Sequence, residues 1–131
     1  MKALLQGIIN ELTGTTLNTN IGGRFYLNEA PQNVAYPYVV YQIISEFPDE
    51  YFADTADLEE ISITMDIFSE KASGVECNNL YENLKTAFDN CELTVSGYTH
   101  VSMTRVGAAL IRDPSNNLWQ YSVDYEVLLV G

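Results

Sequence analysis

A strict alternation of apolar and polar side chains near the C-terminal end constrains the fold most strongly. Every second residue from Trp119 to Leu129 is apolar or aromatic, and the residues between them are polar up to Glu126. Successive side chains of a β-strand point to opposite faces of a sheet, so this stretch predicts a strand with one buried face. Residues 61–67 alternate in the same way and predict a second strand of this kind.

Apolar side chains at three- and four-residue spacing predict two helices. One stripe lies within residues 4–12, and another runs from Cys77 to Cys91. Ser73 and Glu76 have the spacing of a capping box, which predicts that the second helix starts there. In one straight helix the two cysteines would lie roughly 21 Å apart, whereas a disulfide needs Cα atoms within about 7 Å. We therefore interpret both cysteines as small apolar side chains of a chain that folds in a reducing compartment.

The remaining strand signals complete an α+β pattern. Further strands are predicted at residues 24–27, Tyr38 to Ile44 and 98–111, and the last two strands of the chain form a long antiparallel hairpin. The order predicts a mostly antiparallel sheet of four to five strands with two helices packed on one face. Tyr38 to Ile44 is apolar on both faces, so it is either a central strand or a strand covered by a partner. We expect a single domain over residues 1–131, because no repeat or linker is visible.

The charge balance excludes several classes of partner. The 131 residues include eighteen acids and six bases, a formal net charge of −12. Counterion release therefore cannot drive the chain onto DNA or an anionic membrane. No apolar run reaches the roughly 20 residues that cross a bilayer. We expect neither specific nucleic-acid binding nor a membrane partner.

The acids are concentrated in one part of the chain. Between residues 25 and 70 there are ten acids and no lysine or arginine. Their spacing does not match the EF-hand calcium loop. From the residues alone we interpret the acids as a solvated stretch that keeps the protein soluble. Four of them lie together in a predicted loop: Asp49, Glu50, Asp54 and Asp57.

Sequence motifs for catalysis are missing. There is no nucleophile elbow, phosphate-binding glycine loop or dinucleotide fingerprint. His100 is the single histidine, and the predicted helix buries both cysteines far apart, so a zinc site is not expected. We assign no catalytic, cofactor-binding or metal-binding residue and expect the chain not to be an enzyme.

Several short motifs follow one another in a distinctive order. They are GRFY at residues 23–26, APQ at 30–32, PYVVY at 37–41, DIFS at 66–69 and the alternating strand at 121–127. In this order and spacing the chain, from Leu4 onward, resembles the tail completion or tail terminator proteins of long-tailed bacteriophages.

The resemblance implies a fold, a function and a set of partners. Proteins of that family have a sheet packed with helices and assemble as hexameric rings that cap the tail tube and join it to the head. The implied partners are other copies of the chain, the tail tube protein and a head-completion or connector protein, with DNA passing through the ring. In such a ring the acids either line the channel and repel phosphate or belong to a solvated loop. The implied location is the tail end or neck of a virion assembled in the bacterial cytoplasm, without a cofactor. Two alternatives stay open, a neck or head-completion protein of the same particle and a small cellular α+β ligand-binding module.

A ring subunit needs contact surfaces on two sides. Aromatic side chains in or beside loops commonly dominate the energy of such contacts. The alternative for some of these residues is an ordinary place in the core. The candidate interface residues are Tyr36, Tyr38, Val40, Phe47, Tyr51, Phe52 and Trp119.

Overall fold

The described residues form one five-stranded sheet and three helices. The computed structural model describes residues 2–48, 58–70 and 74–131. The strands form one sheet in the order β1-β2-β3-β5-β4. The helices are α1 (Lys2–Leu12), α2 (Thr16–Asn20) and α3 (Val75–Phe88), and the strands are β1 (Phe25–Leu27), β2 (Tyr38–Pro48), β3 (Leu58–Ser69), β4 (His100–Asp113) and β5 (Leu118–Val130).

The sheet is mixed, although most of its pairs are antiparallel. β3 pairs with β5 from Leu58 to Ser69, and β4 lies on the other side of β5. β1 runs parallel to β2 over three residues. The predicted α+β class and the mostly antiparallel sheet are therefore confirmed. β2 is internal over Val39 to Tyr41, because β1 pairs with it there. Val39 and Tyr41 are buried on one face of the strand, and on the other face Tyr38 stacks on Phe68.

The predicted number of helices was too low. The short helix α2 follows Thr15, whose hydroxyl oxygen accepts a hydrogen bond from the Asn18 amide at 3.2 Å. This is the usual role of a threonine at a helix N-terminus. α2 spans five residues and buries Leu17. So short a helix has no room for the repeated apolar spacing on which the sequence prediction relied.

One face of the sheet forms the core. Val123, Tyr125, Val127 and Leu129 are fully buried, and so are the inward-facing residues of β3. Helix α3 packs against this face, where Phe88 meets Tyr125 edge-on with 6.4 Å between ring centroids. The period-two predictions for β3 and β5 are therefore confirmed. That both long helices pack on one face stays a prediction.

α1 lies very close to the segment that follows α3. A Cβ atom at Gly7 would lie 2.8 Å from the Thr94 carbonyl oxygen, so only glycine fits without a shift of the backbone. Leu4 and Ile8, on the same side of α1, have no exposed surface.

The ends of α3 differ from the predicted ones. The helix begins at Val75 after Gly74, which has φ 71° and makes no side-chain cap. The Glu76 carboxylate instead accepts a hydrogen bond from the Ser69 hydroxyl at 2.8 Å. Ser73 lies outside the described residues. α3 ends at Phe88, so Cys91 is not in the helix, and both cysteines are free thiols.

None of the helices in the described ranges has the length and apolar character that a membrane crossing needs.

Candidate functional site

β4 is an edge strand whose outer side is only partly covered. The Asn90 amide donates a hydrogen bond to the Met103 carbonyl at 2.9 Å, and Glu92 forms a bridge with Ser102. Beyond Thr104, no described strand pairs with the outer side of β4. The stretch VGAALI at residues 106–111 follows and contains no charged residue. A long, apolar and uncovered edge is a surface on which another chain can add a strand. We call residues 106–111 the β4 edge.

Two β-bulges place apolar side chains on the sheet surface. One register shift lies between Arg105 and Gly107, and the other between Ile43 and Ser45. The extra residues, Val106 and Ile44, are 59% and 57% exposed. Both line a groove of about 400 Å³ that crosses the sheet. A bulge redirects side chains in this way and interrupts the regular ladder.

The sheet face opposite Tyr125, which we call the second face, carries an aromatic cluster. Tyr38 stacks on Phe68, with 5.1 Å between ring centroids, and Tyr36 lies 5.1 Å from Tyr38. Tyr26 meets Tyr38 edge-on at 6.3 Å. We call these four side chains the aromatic cluster, and all four are half-buried. Burial, assisted by the neighbouring Tyr36, raises the pKa of Tyr38 to about 12.

The structure brings together only part of the predicted interface. Tyr36 and Tyr38 lie in the aromatic cluster, and Val40 follows Tyr38 on the same face of β2. Phe47 lies in β2 opposite Glu60. Trp119 instead lies on the core face of β5, where the Arg112 guanidinium stands 4.9 Å from its ring. The predicted residues that lie outside the described ranges are Tyr51, Phe52, Asp49, Glu50, Asp54 and Asp57.

The second face is acidic. Strands β2, β3 and β5 contain no lysine or arginine. Asp66, Asp124 and Glu126 lie on this face, and Asp124 accepts a hydrogen bond from the Thr64 hydroxyl at 2.8 Å. One carboxylate oxygen of Asp66 is buried without a hydrogen-bond partner among the described atoms. Arg105 and Arg112 of β4 stand opposite Tyr125 and Trp119 of β5 in the strand register, so both arginines lie on the core face.

A polar network connects the end of α3 to β4 and β5. The Tyr125 hydroxyl donates to the Asp89 carboxylate at 2.6 Å, and Arg105 donates to the same carboxylate at 3.1 Å. Arg105 also donates to the Tyr81 hydroxyl at 2.8 Å. Burial and the nearby Asp89 raise the pKa of Tyr125 above its ordinary value. These side chains fix one another's orientation through hydrogen bonds, and we interpret the network as structural.

Metal-binding geometry is not found in the part of the chain that the structure describes. There, no three histidine, cysteine or carboxylate side chains are grouped so that they could hold a metal ion.

The sequence matches one protein family over almost its whole length. Residues 7–129 match the model of the family described as Tail completion protein gp17. The chain belongs to that family. The resemblance inferred from the motifs is therefore confirmed, and this tail completion protein is a structural protein of a phage virion. No curated protein sequence matches it significantly.

Solved structures with the same fold are much more distant in sequence. The tail completion protein is similar to a chain from the virion of a native gene transfer agent particle, with a TM-score of 0.77 and 13% identity over 95% of this chain and 92% of that chain. A second solved structure has a TM-score of 0.67 and 8% identity over 98% of this chain and 95% of that chain. At these identities the similarity shows the fold alone.

Proposed function

We propose that this tail completion protein forms a hexameric ring that caps the tail tube and joins the tube to the head. The observation that carries the proposal is the family match over residues 7–129. The family is one of virion structural proteins, so the proposed role needs neither a cofactor nor turnover of a substrate. The proposed partners are other copies of the chain, the tail tube protein and a head-completion or connector protein.

The two ends of the sheet are suited to ring formation. Identical subunits close into a ring when one surface of each subunit binds a different surface of the next. The β4 edge lies at one end of the sheet, and the short strand β1 lies at the other end. The aromatic cluster lies near the β1 end, because it joins β1, β2 and β3 through Tyr26, Tyr38 and Phe68. Partly exposed aromatic groups of this kind are common anchors of protein interfaces.

The acidic residues suit a ring through which DNA passes. Asp66, Asp124 and Glu126 lie on one sheet face, in strands that contain no base. A channel lined by such a face would repel phosphate and would not retain DNA. In our proposal the acids at positions 49, 50, 54 and 57 either extend this lining or form a solvated loop.

The test is electron microscopy of the purified protein, alone and mixed with assembled tail tubes. We expect rings with six-fold symmetry at one end of each tube. Particles produced without the protein should contain separate heads and tails, and the wild-type protein should restore joining. Binding to heads but not to tubes would support a neck or head-completion position instead. Single molecules that bind neither tubes nor heads would contradict the proposal.

A further inference from the structure

We propose that the β4 edge of one copy pairs with the β1–β2 end of the next copy, so that strand addition joins neighbouring subunits. The inference rests on the proposed ring and names the surfaces that form it. A strand that joins an uncovered edge satisfies backbone groups that would otherwise face water. The contact is heterologous, because the two ends of the sheet differ.

The backbone of the β4 edge has groups that are available for pairing. The Met103 carbonyl points outward, because it accepts from the Asn90 amide, which lies outside the sheet. Outward and inward positions alternate along an antiparallel strand, and one bulge residue shifts the alternation by one. Ala108 and Leu110 pair with Val123 and Tyr121 on the same face as Met103, so their N–H and C=O groups also point outward.

The β4 edge lacks the features that usually prevent edge-to-edge contact. Between Val106 and Ile111 there is neither a charge nor a proline. Leu110 on one face and Ile111 on the other are 41% and 45% exposed. Natural sheets normally protect exposed edges with lysine, proline or a covering segment. The bulge at Val106 interrupts the edge only at its start, which leaves residues 107–111 regular.

The opposite end of the same sheet is the best complement. β1 pairs with β2 only from Val39 to Tyr41, so the outer side of β2 beyond that stretch has no partner strand among the described residues. The described sheet has two edges, so a heterologous contact between edges joins the β4 edge of one copy to the β1–β2 end of the next. Leu27 on the outer strand β1 is 41% exposed and offers an apolar contact there.

The first test removes one backbone donor of the β4 edge. Ala108→Pro deletes an outward N–H group and leaves the ladder between β4 and β5 intact. Ala108→Val is the matched control, because it keeps the donor and favours a strand. We expect Ala108→Pro to lose the ring in sedimentation and electron microscopy with tail tubes, whereas Ala108→Val keeps it. Circular dichroism and thermal melting establish that both variants fold.

The second test asks whether the contact joins two different surfaces. Leu27→Lys puts a charge on the β1 end and should also abolish the ring. An equimolar mixture of Ala108→Pro and Leu27→Lys retains one intact pair of surfaces, so we expect heterodimers and no ring. Dimers of Leu27→Lys alone would overturn the inference, since they would indicate that β4 pairs with β4. A mixture that contains only monomers would overturn it as well.

The outcomes separate this inference from the proposed function. If folded Ala108→Pro forms rings like the wild type, only the strand-pairing inference fails. If the wild type forms no ring with tubes, the proposed function fails and the inference fails with it.

Discussion

The Tyr125–Asp89 hydrogen bond gives the most quantitative prediction for the fold. Tyr125 has no exposed surface, and its hydroxyl donates to the Asp89 carboxylate at 2.6 Å. Tyr125→Phe removes this hydrogen bond without creating a large cavity. A hydrogen bond to a charged group contributes on the order of 2 kcal/mol, so we expect the free energy of unfolding at pH 7 to fall by about that amount. For a domain of this size the loss corresponds to a decrease of about 6 °C in Tm.

The loss of stability caused by Tyr125→Phe should decrease at high pH. The pKa of Tyr125 is raised from 10.0 in the folded protein, mainly by burial. The stability that its protonated hydroxyl contributes is therefore complete below pH 10 and is lost as the pH rises further. Tyr125→Phe lacks this group, so the difference between wild type and variant should shrink by about 1.4 kcal/mol per pH unit above pH 10.

The assay is urea unfolding followed by circular dichroism from pH 7 to pH 11. Tyr121→Phe is the matched control, because Tyr121 lies on the same face of β5 and its hydroxyl has no hydrogen-bond partner among the described residues. The control should change stability by less than about 0.5 kcal/mol. Equal stabilities of wild type and Tyr125→Phe at pH 7, or a difference that stays constant above pH 10, would refute the reasoning.

Three further predictions address packing, assembly and charge. Gly7→Ala should lower the free energy of unfolding by about 1–3 kcal/mol in denaturant titrations, because its Cβ would meet the Thr94 carbonyl at 2.8 Å; wild-type stability would mean that α1 is not so closely packed. Tyr38→Ala should weaken ring formation by about tenfold or more in sedimentation while the fold is kept, and unchanged assembly would exclude the aromatic cluster from the interface. Neutralising Asp49, Glu50 and Asp54 together should increase DNA binding if these acids line the channel. Unchanged DNA affinity and infectivity would favour a solvated loop.

The sequence was sufficient for elements whose pattern is local. β3 and β5 were predicted because their alternation reflects burial on one face, which the structure confirms. The end of α3 was not predicted correctly, because Cys91 continues the helical spacing although the helix ends at Phe88. Asn90 adopts φ 55° and its amide bonds to the Met103 carbonyl. This contact joins residues that are distant in sequence, and the helical spacing of apolar residues therefore cannot predict it.

The order of strands in the sheet could be predicted from the sequence only in part. The sequence predicts β4 only as one strand of a hairpin, because it does not reveal whether another segment covers the opposite side of that strand. Its charge-free run of six residues was the available signal. The aromatic cluster was predicted in part through Tyr36 and Tyr38. Phe68 joins it only because β3 pairs with β2 in a particular register, which residue types alone do not specify.

The central claim is that identical copies of this chain form a ring at the end of the tail. The most direct measurement is a cryo-electron microscopy reconstruction of the junction between head and tail in the particle that carries it. We predict six copies around the channel, with β4 of each copy against the β1–β2 end of its neighbour. A single copy at the junction, or copies found elsewhere in the particle without mutual contact, would contradict the claim.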